Sequence, residues 1–125
     1  MNILALEVTC GKTSVAIQNN RDILAFFQDE ELNMQAENLF PLITKAFNSA
    51  NLQYKDINYI AVSTGPGSFT GIRIGLSAVR GIIIAAPYIL PMAFSNFEIM
   101  AFRAFKQICP KLLKKIVIIL IKILY

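Results

Sequence analysis

The chain has 125 residues, of which 55% are hydrophobic, and a formal net charge of +4. That length corresponds to one domain, and the apolar content predicts either a thick core or an apolar surface that another molecule covers. No histidine occurs in the sequence. Its absence excludes Ser–His and Cys–His catalysis and histidine-ligated metal sites.

The charge is divided unevenly along the chain. Residues 1–57 contain four basic and seven acidic side chains, a net −3, whereas residues 58–125 contain eight basic and one acidic, a net +7. A basic half of this kind permits contact with RNA or with an acidic protein. The plainer interpretation, which we favour for the lysines of the tail, is a solvated surface.

The two cysteines, Cys10 and Cys109, lack the spacing of a metal site. Met1 leads directly into a strand-like run, and no signal peptide precedes it. We therefore predict a cytoplasmic protein with free thiols and no membrane association.

Three short apolar runs predict an antiparallel meander at the start of the chain. The runs are residues 2–8, 13–18 and 23–27, and the links between them are short and polar. Strands joined by such short links pair with their neighbours in sequence.

A helix is predicted for residues 34–50, and a loop with at most one helical turn for residues 51–58. The apolar stripe of this helix consists of Ala36, Leu39, Ile43, Ala46, Phe47 and Ala50. Pro41 removes a backbone hydrogen bond and crowds the preceding turn, so we expect either a kink or a late start of the helix.

The stretch Ser63–Gly81, STGPGSFTGIRIGLSAVRG, organises the rest of the chain. An apolar strand at 59–62 precedes it, and a helical pattern leaves it and ends near Pro87. Between them lies a turn whose glycines allow positive φ and whose proline fixes a corner. This signature loop consists of Gly65, Pro66, Gly67, Ser68, Phe69, Thr70 and Gly71.

The helix after this loop has a face of small residues. At 3.6 residues per turn the face contains Gly71, Gly75, Ala78, Ile82 and Ala85, and a bulky face that suits a sheet contains Ile72, Leu76, Val79 and Ile83. Each glycine costs about 1 kcal/mol relative to alanine, and close packing against another helix would offset that cost. The other helix belongs either to this chain or to a partner, and spacing alone does not separate the two.

A glycine-rich loop before a helix also suggests phosphate binding, because free N–H groups and the helix dipole favour anions. The loop lacks both the Gly-Lys-Ser/Thr ending of a P-loop and the G-x-G-x-x-G of a dinucleotide site. Phosphate binding is therefore the weaker interpretation.

The last third of the sequence predicts a strand and a helix. Residues 89–93 form a short strand, which Pro91 places at an edge or an end of the sheet. Ser95 and Glu98 have the spacing of a capping box, which starts a helix that ends near Ile108. The apolar tail is too short for a bilayer, which takes about 20 apolar residues, and we expect an orphan strand there.

Three segments resemble the TsaB (YeaZ) family. They are NILALEVTCGKTSVAI near the start, the E-x-L-F-P-L-I run from Glu37, and STGPGSFTGIRIGLSAVRG. The resemblance extends over about Met1 to Ala104, and GPGSFTG followed by I-R-I-G is its most specific part. It implies an α/β fold, an actin-like (ribonuclease-H-like) ATPase subdomain with a mixed sheet.

The resemblance implies a non-catalytic scaffold role in forming threonylcarbamoyladenosine on tRNA, without catalytic residue, metal or cofactor. The implied partners are a TsaD-like catalytic subunit and a TsaE-like ATPase, and tRNA is reached only through that complex.

The family's dimer contact is a bundle of the first two helices of each partner, which correspond to residues 36–50 and 71–86, and the same helices would serve a homodimer. Arg73 is expected to pair either with a partner carboxylate or with Glu37 or Asp56 of this chain. The residues expected at the contact are Leu39, Ile43, Gly71, Arg73, Gly75, Ala78 and Ile82.

A vestigial phosphate loop is also implied by the resemblance. ATPase members have an aspartate, a glycine and a hydroxyl residue there, and the matching positions are Glu7, Thr9, Gly11 and Thr13. Glu7 could hold a cation, although a polar cap on the strand end is the plainer interpretation.

The sequence departs from the family in two places. Gln35 stands where members often have a histidine, and Ile121-Lys122-Ile123 stands where the second subdomain has an Asp-Ala-Arg motif. We therefore expect residues 1–110 to form the first subdomain and residues 111–125 an aberrant tail of a truncated copy. The alternatives are an ATP-binding or peptidase-like enzyme of the same superfamily and an inactive gene remnant.

Overall fold

The computed structural model describes residues 1–29, 31–32 and 34–108, and side chains as far as residue 105. The strands are β1 (Asn2–Glu7), β2 (Ser14–Asn19), β3 (Asp22–Gln28), β4 (Tyr59–Ser63) and β5 (Leu90–Phe94). The helices are α1 (Gln35–Ala50), α2 (Phe69–Ala85) and α3 (Asn96–Ile108), with one 3₁₀ turn at Tyr54–Asp56. The predicted α/β order of elements is confirmed.

The five strands form one mixed sheet in the order β3-β2-β1-β4-β5. Strands β1 to β3 pair antiparallel, as the short links predict, and β4 and β5 run parallel to β1. The parallel pair of β4 and β5 is possible because α2 returns the chain from the end of β4 to the start of β5. Pro91 therefore lies in an edge strand, which confirms the prediction.

Two apolar layers cover the sheet. One face, with Leu4, Leu6 and Ile60, packs under α1 and α2. The other face, with Ile3, Ala5 and Ala61, forms a smaller cluster with Ile99 of α3. Strand β1 is apolar at successive positions because both of its faces are buried.

Helix α1 begins at Gln35 and includes Pro41, so the predicted late start is wrong. Burial of Leu39, Ile43 and Phe47 explains this, because each contributes about 1.5–3 kcal/mol against about 3 kcal/mol for an internal proline. Ala36, which was predicted in the apolar stripe, is exposed, and Gln35 is buried instead.

The predicted capping box at the start of α3 is confirmed. The backbone N–H of Glu98 donates to Ser95 Oγ at 3.1 Å, and the backbone N–H of Ser95 donates to Glu98 Oε2 at 2.7 Å. The predicted orphan strand and the predicted second domain fall on residues 111–125, which lie outside the described residues.

Candidate functional site

The signature loop joins β4 to α2 and is fixed by backbone hydrogen bonds to two other parts of the chain. Thr64 N donates to Phe94 O at 2.8 Å, and Ser68 N donates to Thr9 O at 2.7 Å. Gly65 has φ +87° and a cis bond to Pro66, and its carbonyl accepts from Asn96 N at 2.7 Å. Glycine at this position meets the demand for positive φ.

Two glycines of the loop allow it to touch the end of β1. A Cβ on Gly67 would lie 2.4 Å from Thr9 O, and a Cβ on Gly71 would lie 1.9 Å from Val8 O. Both distances are shorter than any real contact, so only glycine fits at these positions. The small residues that open α2 therefore serve packing against this chain's own backbone.

The same conclusion holds further along the helix. A Cβ on Gly75 would meet Val8 Cγ2 at 2.7 Å, and Ala78 and Ile82 are buried in the core. Leu39 and Ile43 of α1 are buried there as well.

Six residues of the contact set predicted for a partner are buried within this chain, and the set as a whole stays a prediction. These are Leu39, Ile43, Gly71, Gly75, Ala78 and Ile82. The prediction that a bulky face of α2 packs on the sheet is wrong in part, because Leu76 is exposed. The end of β1 packs against the glycine side of α2 because it leaves room for glycine but not for a bulky side chain.

A different small stripe of α2 is open to solvent. Ser77, Gly81 and Ala85 recur every four residues and are exposed, and a Cβ on Gly81 would have nothing within 4 Å. Beside them Ile84 is 83% exposed, and Phe40 of α1 and Tyr88 are exposed too. Sequence reasoning missed Ser77 and Gly81, and it placed Ala85 on the small face that is now seen to be buried, although Ala85 is exposed.

Two cavities lie along this outer face of α1 and α2. The first, about 470 Å³, is lined by Phe40, Tyr54, Gly81, Ile82, Ala85, Ala86 and Tyr88. The second, about 370 Å³, is lined by Ala36, Leu39, Phe40, Arg73, Ile74, Ser77 and Ala78. Phe40 lines both cavities, so they form a largely apolar surface that we call the α1–α2 groove.

Arg73, the remaining residue of the predicted contact set, is exposed at one end of this groove. Its guanidinium carbon lies 3.9 Å from the centroid of the exposed Phe69 ring, a cation–π geometry. Among the described residues, Arg73 is therefore placed by Phe69 and not by Glu37 or Asp56.

The predicted vestigial phosphate loop contains a buried polar cluster. Glu7 is 1% exposed, and its Oε1 accepts from Thr9 N at 2.6 Å and from the Thr9 hydroxyl at 2.5 Å. Thr9 Oγ1 in turn accepts from Asn96 Nδ2 at 2.9 Å, and the same amide donates to Pro66 O at 2.8 Å. Asn96, which sequence reasoning missed, therefore joins α3 to the strand end and to the signature loop.

Four buried oxygen atoms at or near this cluster have no hydrogen-bond partner among the described residues. They are Glu7 Oε2, Thr13 Oγ1, Ser63 Oγ and Asn96 Oδ1. Glu7 and Ser63 end the paired strands β1 and β4 at the same edge of the sheet. Oxygen atoms of this kind suit a hard cation or a hydrogen-bond donor, but the described residues contain no group of three acidic, cysteine or histidine ligands.

The other predicted members of the loop lie close by in the chain. Gly11 has φ +83°, which favours glycine, and Thr13 is buried at the start of β2. Burial raises the pKa of the Cys10 thiol, and the carboxylate of Glu7 adds to the rise. The thiol of Cys10 is therefore held in its protonated form at neutral pH.

A family model described as TsaD, tRNA N6-adenosine threonylcarbamoyltransferase, matches residues 33–105. The chain belongs to the TsaD family. That match includes the signature loop, both helices of the α1–α2 groove and most of α3.

Curated relatives of this TsaD-family chain include TsaB proteins. It is 34% identical over 94 residues to the tRNA threonylcarbamoyladenosine biosynthesis protein TsaB of Escherichia coli, covering 74% of this chain and 38% of that protein. It is 29% identical over 106 residues to TsaB of Buchnera aphidicola from Schizaphis graminum, covering 84% of this chain and 49% of that protein. The chain thus spans at most about half the length of these relatives, and the predicted resemblance to TsaB is confirmed.

Solved structures agree with the fold. YeaZ from Pseudomonas aeruginosa superposes with a TM-score of 0.76 at 27% identity, covering 85% of this chain and 49% of that chain. A ROK hexokinase from Thermus thermophilus has a TM-score of 0.53 at 17% identity, covering 85% of this chain and 38% of that chain, which supports the fold alone. The predicted actin-like ATPase fold of this TsaD-family member is confirmed. Within the described ranges no helix is long and apolar enough to cross a membrane.

Proposed function

We propose that the chain acts in tRNA threonylcarbamoyladenosine biosynthesis as a non-catalytic partner of a TsaD-type transferase. The relatives named TsaB support a role in this biosynthesis, because their names assign them to it. The α1–α2 groove supports the role of a partner, because it is a contiguous apolar surface beside exposed Ile84. Surfaces of this kind mark protein contacts.

The open stripe of Ser77, Gly81 and Ala85 supports a helix as the group that binds. Small residues at a spacing of four let a second helix approach the α2 backbone closely. Arg73 and Phe69 stand at one end of the groove, where the guanidinium is available to a carboxylate of the partner. A TsaE-type ATPase and tRNA belong to the same proposal and are reached through the transferase, and a homodimer would use the same groove.

Co-expression with the TsaD-type protein of the same source tests the proposal. We expect a stable complex with the wild-type chain and at least a tenfold loss of co-purified partner with Ile84→Asp, which places a charge beside the groove. Leu24→Asp is the matched control, because it places the same charge at an exposed apolar position of β3. Absence of a complex between two folded proteins, or equal losses with both variants, would contradict the proposal.

A further inference from the structure

The two edges of the sheet differ in how they are protected against pairing with another strand. Strand β5 forms one edge and contains Pro91, and a proline removes an N–H group that a further strand would use. Strand β3 forms the other edge. It contains no proline, and no charged residue follows Asp22 before the strand ends at Gln28. Among the described residues, β3 is therefore the unprotected edge of the sheet.

The register of β3 shows which of its backbone groups face outward. Asp29 N donates to Thr13 O at 2.8 Å, and in an antiparallel pair alternate residues direct their backbone groups to the partner strand. Phe27 therefore faces β2 with its N–H and C=O groups. The backbone groups of Phe26 and Gln28 are directed away from β2, to the edge where a further strand would lie.

Apolar side chains lie on both faces of β3 beside this edge. Leu24 and Phe26 are each 40% exposed. Phe27 is adjacent to Phe26 and so lies on the opposite face, where it is partly buried against the main core. A strand beside β3 would have apolar neighbours on both of its faces, and such a strand should be apolar at successive positions and not at alternate ones.

A segment of this chain outside the described residues has that composition. Ile116–Ile121 consists of six successive apolar residues, and all but Leu120 are β-branched. Residues of this kind favour strands. The segment lacks proline and glycine, so nothing in it interrupts a row of backbone hydrogen bonds.

The charges at the ends of the two segments are complementary. Asp22 and Asp29 enclose the six residues 23–28 of β3, and Lys115 and Lys122 enclose the six residues 116–121. Because the spacings are equal, a parallel and an antiparallel arrangement would each place one lysine beside each aspartate. Opposite charges on neighbouring strands stabilise their pairing.

The connecting residues are long enough for this pairing. Helix α3 packs through Ile99 over Ala5 of β1 and Ala16 of β2, and β3 lies about 10 Å from β1 at the usual strand spacing. The six residues 109–114 reach up to about 20 Å when extended. We propose that residues 115–122 add to the open edge of β3 as a sixth strand. This edge lies apart from the α1–α2 groove, so the proposal does not depend on the proposed function.

Amide hydrogen exchange of the full chain, followed by NMR, tests the sixth strand. The first variant is Val117→Pro with Ile118→Pro. Proline has no N–H group, and because adjacent residues of a strand face opposite edges, one of these two positions must face β3. The matched control is Leu112→Pro with Leu113→Pro, which makes the same change in the connecting residues.

We expect slow exchange at the amides of Phe26 and Gln28 in the wild type, because an added strand accepts their hydrogen bonds. Exchange at both should be at least tenfold faster in the first variant and unchanged in the control. The amide of Phe27, which faces β2, should exchange at the same rate in all three proteins.

Several results would overturn the proposal. Fast exchange at Phe26 and Gln28 in the wild type, or slow exchange that persists in the first variant, would mean that the segment does not pair there. Equal acceleration in the control would remove the assignment to residues 115–122. Protection that grows with protein concentration would assign the edge to a second copy of the chain, and acceleration at Phe27 to the same extent would indicate unfolding of β3 and not the loss of a neighbouring strand.

Discussion

At the scale of single residues, the glycines of α2 are of two kinds, buried against β1 or open to solvent, and substitution by alanine should affect the two kinds in opposite directions. Gly71→Ala would place a Cβ 1.9 Å from the carbonyl oxygen of Val8, which is backbone and cannot rotate away. We expect a loss of about 2–4 kcal/mol in the free energy of unfolding. Gly81→Ala meets nothing within 4 Å, and we expect a gain of about 0.5–1 kcal/mol from helix propensity.

Urea unfolding of the two glycine variants beside the wild type measures both changes. Each variant is the control for the other, because both substitutions add one methyl group to α2 and only the neighbouring atoms differ. A destabilised Gly81→Ala, or an unchanged Gly71→Ala, would show that α2 does not pack against the end of β1 through Gly71.

Cys10 provides a pH-dependent prediction. Burial raises the pKa of its thiol, so the reactive thiolate is scarcer in the folded chain than in the unfolded chain at any pH near neutral. In a Cys109→Ser background, alkylation by iodoacetamide should therefore rise at a higher pH in buffer than in concentrated urea. Coincident pH profiles in the two conditions would refute a raised pKa of the Cys10 thiol.

At the scale of elements, the start of α3 depends on an ionised carboxylate. Hydrogen bonds from the backbone and side chain of Ser95 lower the pKa of Glu98. A lowered pKa means that the stabilisation is present above the unfolded value of about 4.3 and disappears as the pH falls through the folded value.

Comparison of the wild type with Glu98→Gln tests this capping contribution. The wild type should melt at the higher temperature at pH 6, and the difference should shrink towards pH 3, because protonation removes the charge of Glu98. Exposed Glu31, which lies outside the helices, offers the matched control Glu31→Gln. A difference between wild type and Glu98→Gln that persists at pH 3 would show that the capping charge is not its source.

Most elements could be predicted because local signals specify them. Short polar links predicted the meander, and Ser95 with Glu98 predicted the start of α3. The orientation of α2 could not be predicted. Both its buried and its exposed small stripes have helical spacing, and the group that distinguishes them, Val8 O, lies more than 60 residues earlier in the chain. The late start considered for Pro41 does not occur, because the local cost of the proline is outweighed by burial that depends on the whole sheet.

At the scale of the whole molecule, Asn96 connects parts that are distant in sequence. Its amide bonds both to Thr9 Oγ1, 87 residues away, and to Pro66 O. Asn96→Ala would leave both oxygens without this donor in a buried setting, and we expect a loss of about 1–3 kcal/mol in the free energy of unfolding.

Urea unfolding of Asn96→Ala, with exposed Asn48→Ala as the control, measures this contribution. Because Asn96 links the signature loop to β1, loss of its amide should also speed hydrogen exchange at Ser68 N, which donates to Thr9 O. Equal stability of the two variants would mean that solvent replaces the amide at no cost.

The position of β1 in the middle of the sheet also sets an order of assembly. Its antiparallel partner β2 follows within a few residues, whereas its parallel partner β4 begins at Tyr59. Local pairings form quickly, and parallel pairings across long separations form slowly. On a ribosome that adds about 5–20 residues per second, a nascent meander waits seconds with one side of β1 unpaired. That interval is when a chaperone would have the unpaired side of β1 to protect.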